Sequence, residues 1–189
     1  LMANEGNEGY DEDFRRFLSG FEATQLQEQG TNKQHSAVLN KAHITSNSAV
    51  TVAGDKLFFN AVPIGGMTSN ILKAESRLYP LDFPAPIDQT MIFQYHLPDG
   101  FVAEAIPEPV LVRLPDNSAS FLFNVVSSGN TIQLTSKLNL NKLFFLPEEY
   151  AQLRTFFDQV VAKHAEQIVL SKANWPVPAF AERHQCIVI

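Results

Sequence analysis

From 131 to 140 the chain alternates. Ile132, Leu134, Ser136, Leu138 and Leu140 fall on one side, and Gln133, Thr135, Lys137 and Asn139 on the other. A period of two with one polar face predicts a strand in a sheet that is packed on one side and open to water on the other. The run 118–126 before it, joined by Ser127-Ser-Gly-Asn130, predicts its hairpin partner. After Pro147 the period changes. Tyr150, Leu153, Phe156, Phe157, Val160 and Val161 recur at spacings of three and four, which predicts a helix over 147–165 with one buried face. Pro147 stands where a missing N–H costs nothing, and Glu148 and Glu149 follow at the electropositive end. Arg154, Asp158, Gln159 and Lys163 fall on the opposite side.

Upstream the pattern is mostly β. Phe14, Phe17, Leu18 and Phe21 have helical spacing, so a short helix is expected over 11–20, with Gly20 as its terminator. The polar stretch 22–36 is expected to hold a strand or loop, and 37–45 alternates weakly. Gly54-Asp55 divides 49–59 into a hairpin. Gly65-Gly66 centres a loop over 63–70. Further strands are expected at 90–97, 101–105 and 110–114, with Pro98-Asp-Gly100 and Pro115-Asp-Asn117 as turns. Pro84-Ala-Pro86 excludes a central strand there. A last apolar run, 168–170, is expected to return to the sheet. Short strands with a turn every ten residues or so predict a mostly β fold: an antiparallel β-sandwich, Ig-like or jelly-roll-like, with one long C-terminal helix and a short N-terminal helix. The expected organisation is an N-terminal helix and linker over 1–35, the sandwich over 36–173 and a tail over 174–189.

Composition narrows the classes. The chain has 189 residues, 45% hydrophobic and 18% charged, which is globular rather than disordered. A net charge of −6, with basic residues scattered and only Arg15 and Arg16 adjacent, argues against nucleic-acid binding. No apolar run is long enough to predict a membrane-spanning helix. The acidic, glycine-bearing start at 1–9 does not read as a secretory signal, and an opening on Leu1 reads as a piece of a longer chain.

Candidate chemistry is sparse. The single cysteine, Cys186, excludes an internal disulfide and lies two residues from His184. A cysteine nucleophile needs a rigidly placed base, and a tail offers none, so an inert cysteine is expected. Cys186-Ile-Val-Ile189 also fits a loose prenylation pattern, read here as coincidence. His35, His43, His96, His164 and His184 show no zinc-binding spacing, so neither a metal nor a cofactor is expected. His96 ends a strand and His164 ends a helix, where capping or surface roles are expected. Asp11 with Asp13, and Glu148 with Glu149, are read as helix-start charges rather than a catalytic carboxylate pair. Aromatic side chains supply the candidate contacts: Phe58, Phe59, Tyr79, Phe144, Phe145 and Trp175, as interface or ligand surface, with core packing the default for the paired phenylalanines.

Several segments recur together in order: Arg77-Leu-Tyr-Pro-Leu-Asp-Phe-Pro84, Leu97-Pro-Asp-Gly-Phe101, Leu114-Pro-Asp-Asn117, the hairpin over 121–136, and Phe145-Leu-Pro-Glu-Glu-Tyr150 running on to Leu170. Over roughly 9–172 the chain resembles the C-terminal domain of unknown function that follows a transglutaminase-like domain in large envelope proteins of Gram-negative, Bacteroides-type bacteria. The resemblance implies a periplasmic or cell-envelope location. It also implies a papain-like Cys-His-Asp centre in the preceding domain, none of which is matched here. The expected role is a non-catalytic accessory domain, packing on or positioning substrate for the transglutaminase-like domain of the same polypeptide. The alternative is an independent carbohydrate- or peptide-binding module. Residues 174–189 lie beyond the expected end of such a domain.

Overall fold

The computed structural model describes residues 18, 21–29, 39–46, 49–173 and 187–188. Its strands are β1 (Glu22–Gln29), β2 (Leu39–Ser46), β3 (Val50–Ala53), β4 (Lys56–Asn60), β5 (Leu81–Asp82), β6 (Ile87–His96), β7 (Phe101–Ala105), β8 (Val110–Arg113), β9 (Ala119–Ser128), β10 (Thr131–Leu140), β11 (Phe144–Phe145), β12 (Gln167–Lys172) and β13 (Ile187–Val188). One helix, α1 (Tyr150–His164), follows a 3₁₀ turn at Pro147–Glu149. The helix expected over 11–20 lies outside the described residues, apart from Leu18, which is buried in a turn. Trp175, His184 and Cys186 also lie outside them.

The strands form a seven-stranded sheet in the order β1-β2-β13-β6-β10-β9-β8, a four-stranded sheet in the order β3-β4-β12-β7, and a two-stranded ribbon of β5 and β11. Every pairing is antiparallel. The turns form where the sequence places them. Gly54, Gly100 and Gly129 adopt φ of 64°, 80° and 57°, the left-handed region glycine enters without a Cβ penalty. Gly129 leads a two-residue loop closed by the Ser128–Thr131 pair, as in a glycine-first hairpin. Asp116 and Asn117 take left-handed φ of 54° and 52°, a conformation that short polar side chains tolerate better than others.

The alternation of β10 becomes a core. Ile132, Leu134, Leu138 and Leu140 are buried beside Phe121, Phe123 and Tyr95 on the inner face of the large sheet. Two bodies cover this face. From the small sheet, Phe59 meets Tyr95 at 5.1 Å between ring centroids. The Tyr95 hydroxyl donates to the Ala61 carbonyl at 2.5 Å, and burial pushes its pKa up. From α1, Leu153, Phe156, Phe157 and Val160 are fully buried in the same core. The helix start is fastened by Glu149. Its carboxylate accepts the Leu146 N–H at 2.8 Å and the Lys142 ammonium at 2.6 and 2.8 Å. The Lys142 bond first, and the Leu146 N–H second, lower the Glu149 pKa.

Candidate functional site

Residues 61–80 join β4 to β5 with no strand or helix of their own, yet they are fixed at several points along α1. The Met67 N–H donates to His164 Nδ1 at 2.9 Å. The Asn70 amide donates to the Arg154 carbonyl at 2.8 Å and to Asp158 Oδ1 at 2.7 Å, while its own oxygen accepts the Leu72 N–H at 2.8 Å. The Tyr150 hydroxyl donates to the Ala74 carbonyl at 2.8 Å, and the Arg77 guanidinium lies 5.7 Å from the Tyr150 ring centroid. The segment therefore runs against the helix direction, from His164 back to Tyr150. Those two residues are about 21 Å apart at 1.5 Å rise per residue. The segment is thus a strap laid along the helix, turned locally at Asn70, whose side-chain oxygen accepts the Leu72 N–H.

His164 sits where the strap, α1 and the large sheet meet. It is 5% exposed, with the Phe121 and Phe123 rings at 5.6 and 6.3 Å between centroids. This corrects the expected capping or surface role. Counting four residues on from Val160 keeps position 164 on the inward face of the helix. Burial lowers its pKa to about 4, so the ring is neutral near pH 7. Because Nδ1 accepts an amide N–H, the ring proton resides on Nε2, which donates to Ser136 Oγ at 2.9 Å. A nucleophile–base pair needs the opposite arrangement, with a bare ring nitrogen facing the hydroxyl. Ser136 is also only 1% exposed, so no substrate reaches it. The pair is a polar rivet in an apolar core. A polar residue at an inward position of β10 was the sequence signal for it, since such a group needs a buried partner.

The candidate aromatics divide. Phe59 and Phe145 are core, and Phe58 is half-buried on the outer face of the small sheet. Tyr79 and Phe144 are 79% and 51% exposed. They flank the β5–β11 ribbon together with Leu78 at 89% and Leu146 at 48%. The ribbon itself is anchored: the Phe83 N–H donates to the Leu143 carbonyl at 2.9 Å, and Phe83 meets Phe145 edge to face at 5.9 Å. A separate groove of about 390 Å³ lies between edge strand β8 and α1. It is lined by Val112, Leu114, Ala151, Gln152, Thr155, Phe156 and Gln159, none of which titrates near neutral pH. Among the described residues, no three His, Cys, Asp or Glu side chains group so as to hold a metal ion.

The fold is similar to that of a crystal structure of a "putative protease" from Parabacteroides distasonis, with a TM-score of 0.51 and 18% sequence identity. The match covers 63% of this chain and 24% of that one, so the chain spans about a quarter of the larger protein's length. No curated protein matches the chain. Residues 55–170, from the β3–β4 turn through the ribbon and α1 to β12, match the model of a domain of unknown function with a solved structure, and this chain belongs to that family, DUF3858.

Proposed function

We propose that this chain is a non-catalytic accessory domain of a larger transglutaminase-like protein of the cell envelope or periplasm, and that the β5–β11 ribbon packs on the enzyme domain of the same polypeptide. The exposed apolar cluster carries this reading. Leu78, Tyr79, Phe144 and Leu146 leave large side chains in water beside one well-anchored ribbon, and clustered exposure of this kind marks a surface that a partner covers. Support also comes from the Parabacteroides protein, in which the similar region is a quarter of a longer chain. A sugar-stacking platform on the open sheet face has less support. The outward positions of β6, β8, β9 and β10 carry no Phe, Tyr or Trp. The groove beside β8 favours a second reading, a peptide held along that sheet edge.

Titration calorimetry of this chain against the separately expressed enzyme domain of its parent tests the proposal. Association at micromolar Kd or tighter is expected, with loss of most of the binding in the Tyr79→Ser/Phe144→Ser double variant. A folded, monomeric chain that shows no association overturns the docking reading.

A further inference from the structure

We propose that residues 63–69 of the strap form a proton-released latch: protonation of the His164 ring detaches the Met67 end of the strap from α1 while the β-sandwich stays folded.

The geometry makes the latch all-or-none at one atom. Both ring nitrogens are engaged, Nδ1 as acceptor from the Met67 N–H and Nε2 as donor to Ser136 Oγ. A second ring proton can go only to Nδ1, where it meets the Met67 N–H head-on. An acceptor becomes a donor, and the bond that fixes the strap becomes a repulsion. Among the described residues no carboxylate bonds the ring to balance the new charge, and only the C-terminal end of α1 favours a cation there. The groups against the ring from other elements are Phe121 and Phe123 of β9, Ser136 of β10 and the Met67 amide, none of which titrates in this range. Of the ionisable side chains of α1 on the strap side, Arg154 has a buried Nε with no hydrogen-bond partner among the described residues, but it lies ten residues, about 15 Å along the helix, before His164. Asp158 accepts from Asn70, and Lys163 bonds Glu166 and the Glu108 carbonyl.

The moving segment has defined limits. Asn70 holds the strap to Arg154 and Asp158, and Tyr150 holds Ala74, so release stops short of residue 70. At the other end Ala61 is fixed, its N–H bonded to the Glu166 carbonyl at 2.9 Å and its carbonyl to Tyr95. Between these anchors the strap packs on itself: a Cβ on Gly66 would lie 2.8 Å from Cγ1 of the strap's own Val62, and in ordinary contact, 3.4 Å, with His164 Cβ.

Amide and histidine-ring NMR of the intact chain across pH 7 to 3.5 tests the latch. The His164 ring and the Met67 amide are expected to titrate together near pH 4, with neighbouring strap amides broadening or shifting at the same midpoint. The Ile132 and Leu134 amides should stay at their native positions through that midpoint. Gly66→Ala, which forces Val62 to shift inside the strap, should loosen the strap's seat on the ring and move the midpoint upward, toward that of an ordinary histidine. His164→Gln, which keeps a donor and an acceptor but cannot titrate, should abolish the strap transition. A ring that titrates without moving Met67 overturns the proposal. So does a strap that moves only together with the sheet amides, which would be global unfolding. The wild-type titration decides between these outcomes even if neither variant folds.

Discussion

At the scale of the residue, the Ser136–His164 bond holds most of the polar risk in this core. Replacing Ser136 with alanine leaves the Nε2–H of a buried ring without an acceptor, at a cost of about 1–3 kcal/mol. Urea denaturation at pH 7 measures it. His164 also sets a pH dependence whose sign follows from its depressed pKa. The ring binds a proton at about pH 4 in the folded chain and at about 6.5 in the unfolded one. Between those values the unfolded state holds the extra proton, so stability is complete above pH 6.5 and declines as pH falls toward 4. The full loss attributable to this residue is about 3 kcal/mol. Comparing denaturation at pH 7 and pH 4.5 in wild type and His164→Gln isolates it, and the variant should lose distinctly less on acidification. Glu149 acts in the same direction at lower pH, since its stabilising bonds to Lys142 and Leu146 need an ionised carboxylate.

At the scale of the element, what the sequence made legible was what repeats. Ile132, Leu134, Leu138 and Leu140 announced β10 because each second side chain must share one face. Tyr150 through Val160 announced α1, and Gly54, Gly100 and Gly129 marked three turns. The antiparallel sandwich followed from these together. The strap was not legible, because nothing in 61–80 repeats. Its conformation is set by Asn70, Tyr150 and His164, whose partners lie 76 to 97 residues away in the chain. Position 136 carried a trace of the buried pair, but no local pattern names a partner 28 residues on. Of the candidate aromatics, Tyr79 and Phe144 turned out to flank one ribbon, a proximity that only the β5–β11 pairing creates. Removing the middle anchor, Asn70→Ala, deletes bonds to the Arg154 carbonyl, Asp158 and the Leu72 N–H. The expected cost is about 1–3 kcal/mol, with faster amide exchange confined to the strap. Phe157→Ala, in the fully buried face of α1, should cost about 3–5 kcal/mol and lower the denaturation midpoint of the whole domain.

At the scale of the molecule, the exposed ribbon and the packed core should separate cleanly in experiment. Tyr79→Ser with Phe144→Ser removes apolar surface that the folded chain leaves in water, so the melting temperature should change little, within about 0.5 kcal/mol of wild-type stability per site. The same pair should reduce any concentration-dependent self-association seen by analytical ultracentrifugation. A large loss of stability instead would place those side chains in the core.

The four-stranded sheet has a consequence for how the chain comes to be. Its two middle strands, β4 and β12, pair Lys56–Asn60 with Gln167–Ser171, and among the described residues β12 is also the sole partner of β7 in that sheet. During synthesis, β3 and β4 can close their local hairpin early, but β4 and β7 must wait with open edges until residue 172 has left the ribosome. Nascent chains stalled before β12 should therefore be protease-sensitive and prone to strand-mediated aggregation, whereas release of a few more residues should confer protection abruptly. A sheet closed by the last of its strands is proofread at that strand: a chain cut short before residue 167 leaves β4 and β7 with open edges, visible to the cell's proteases.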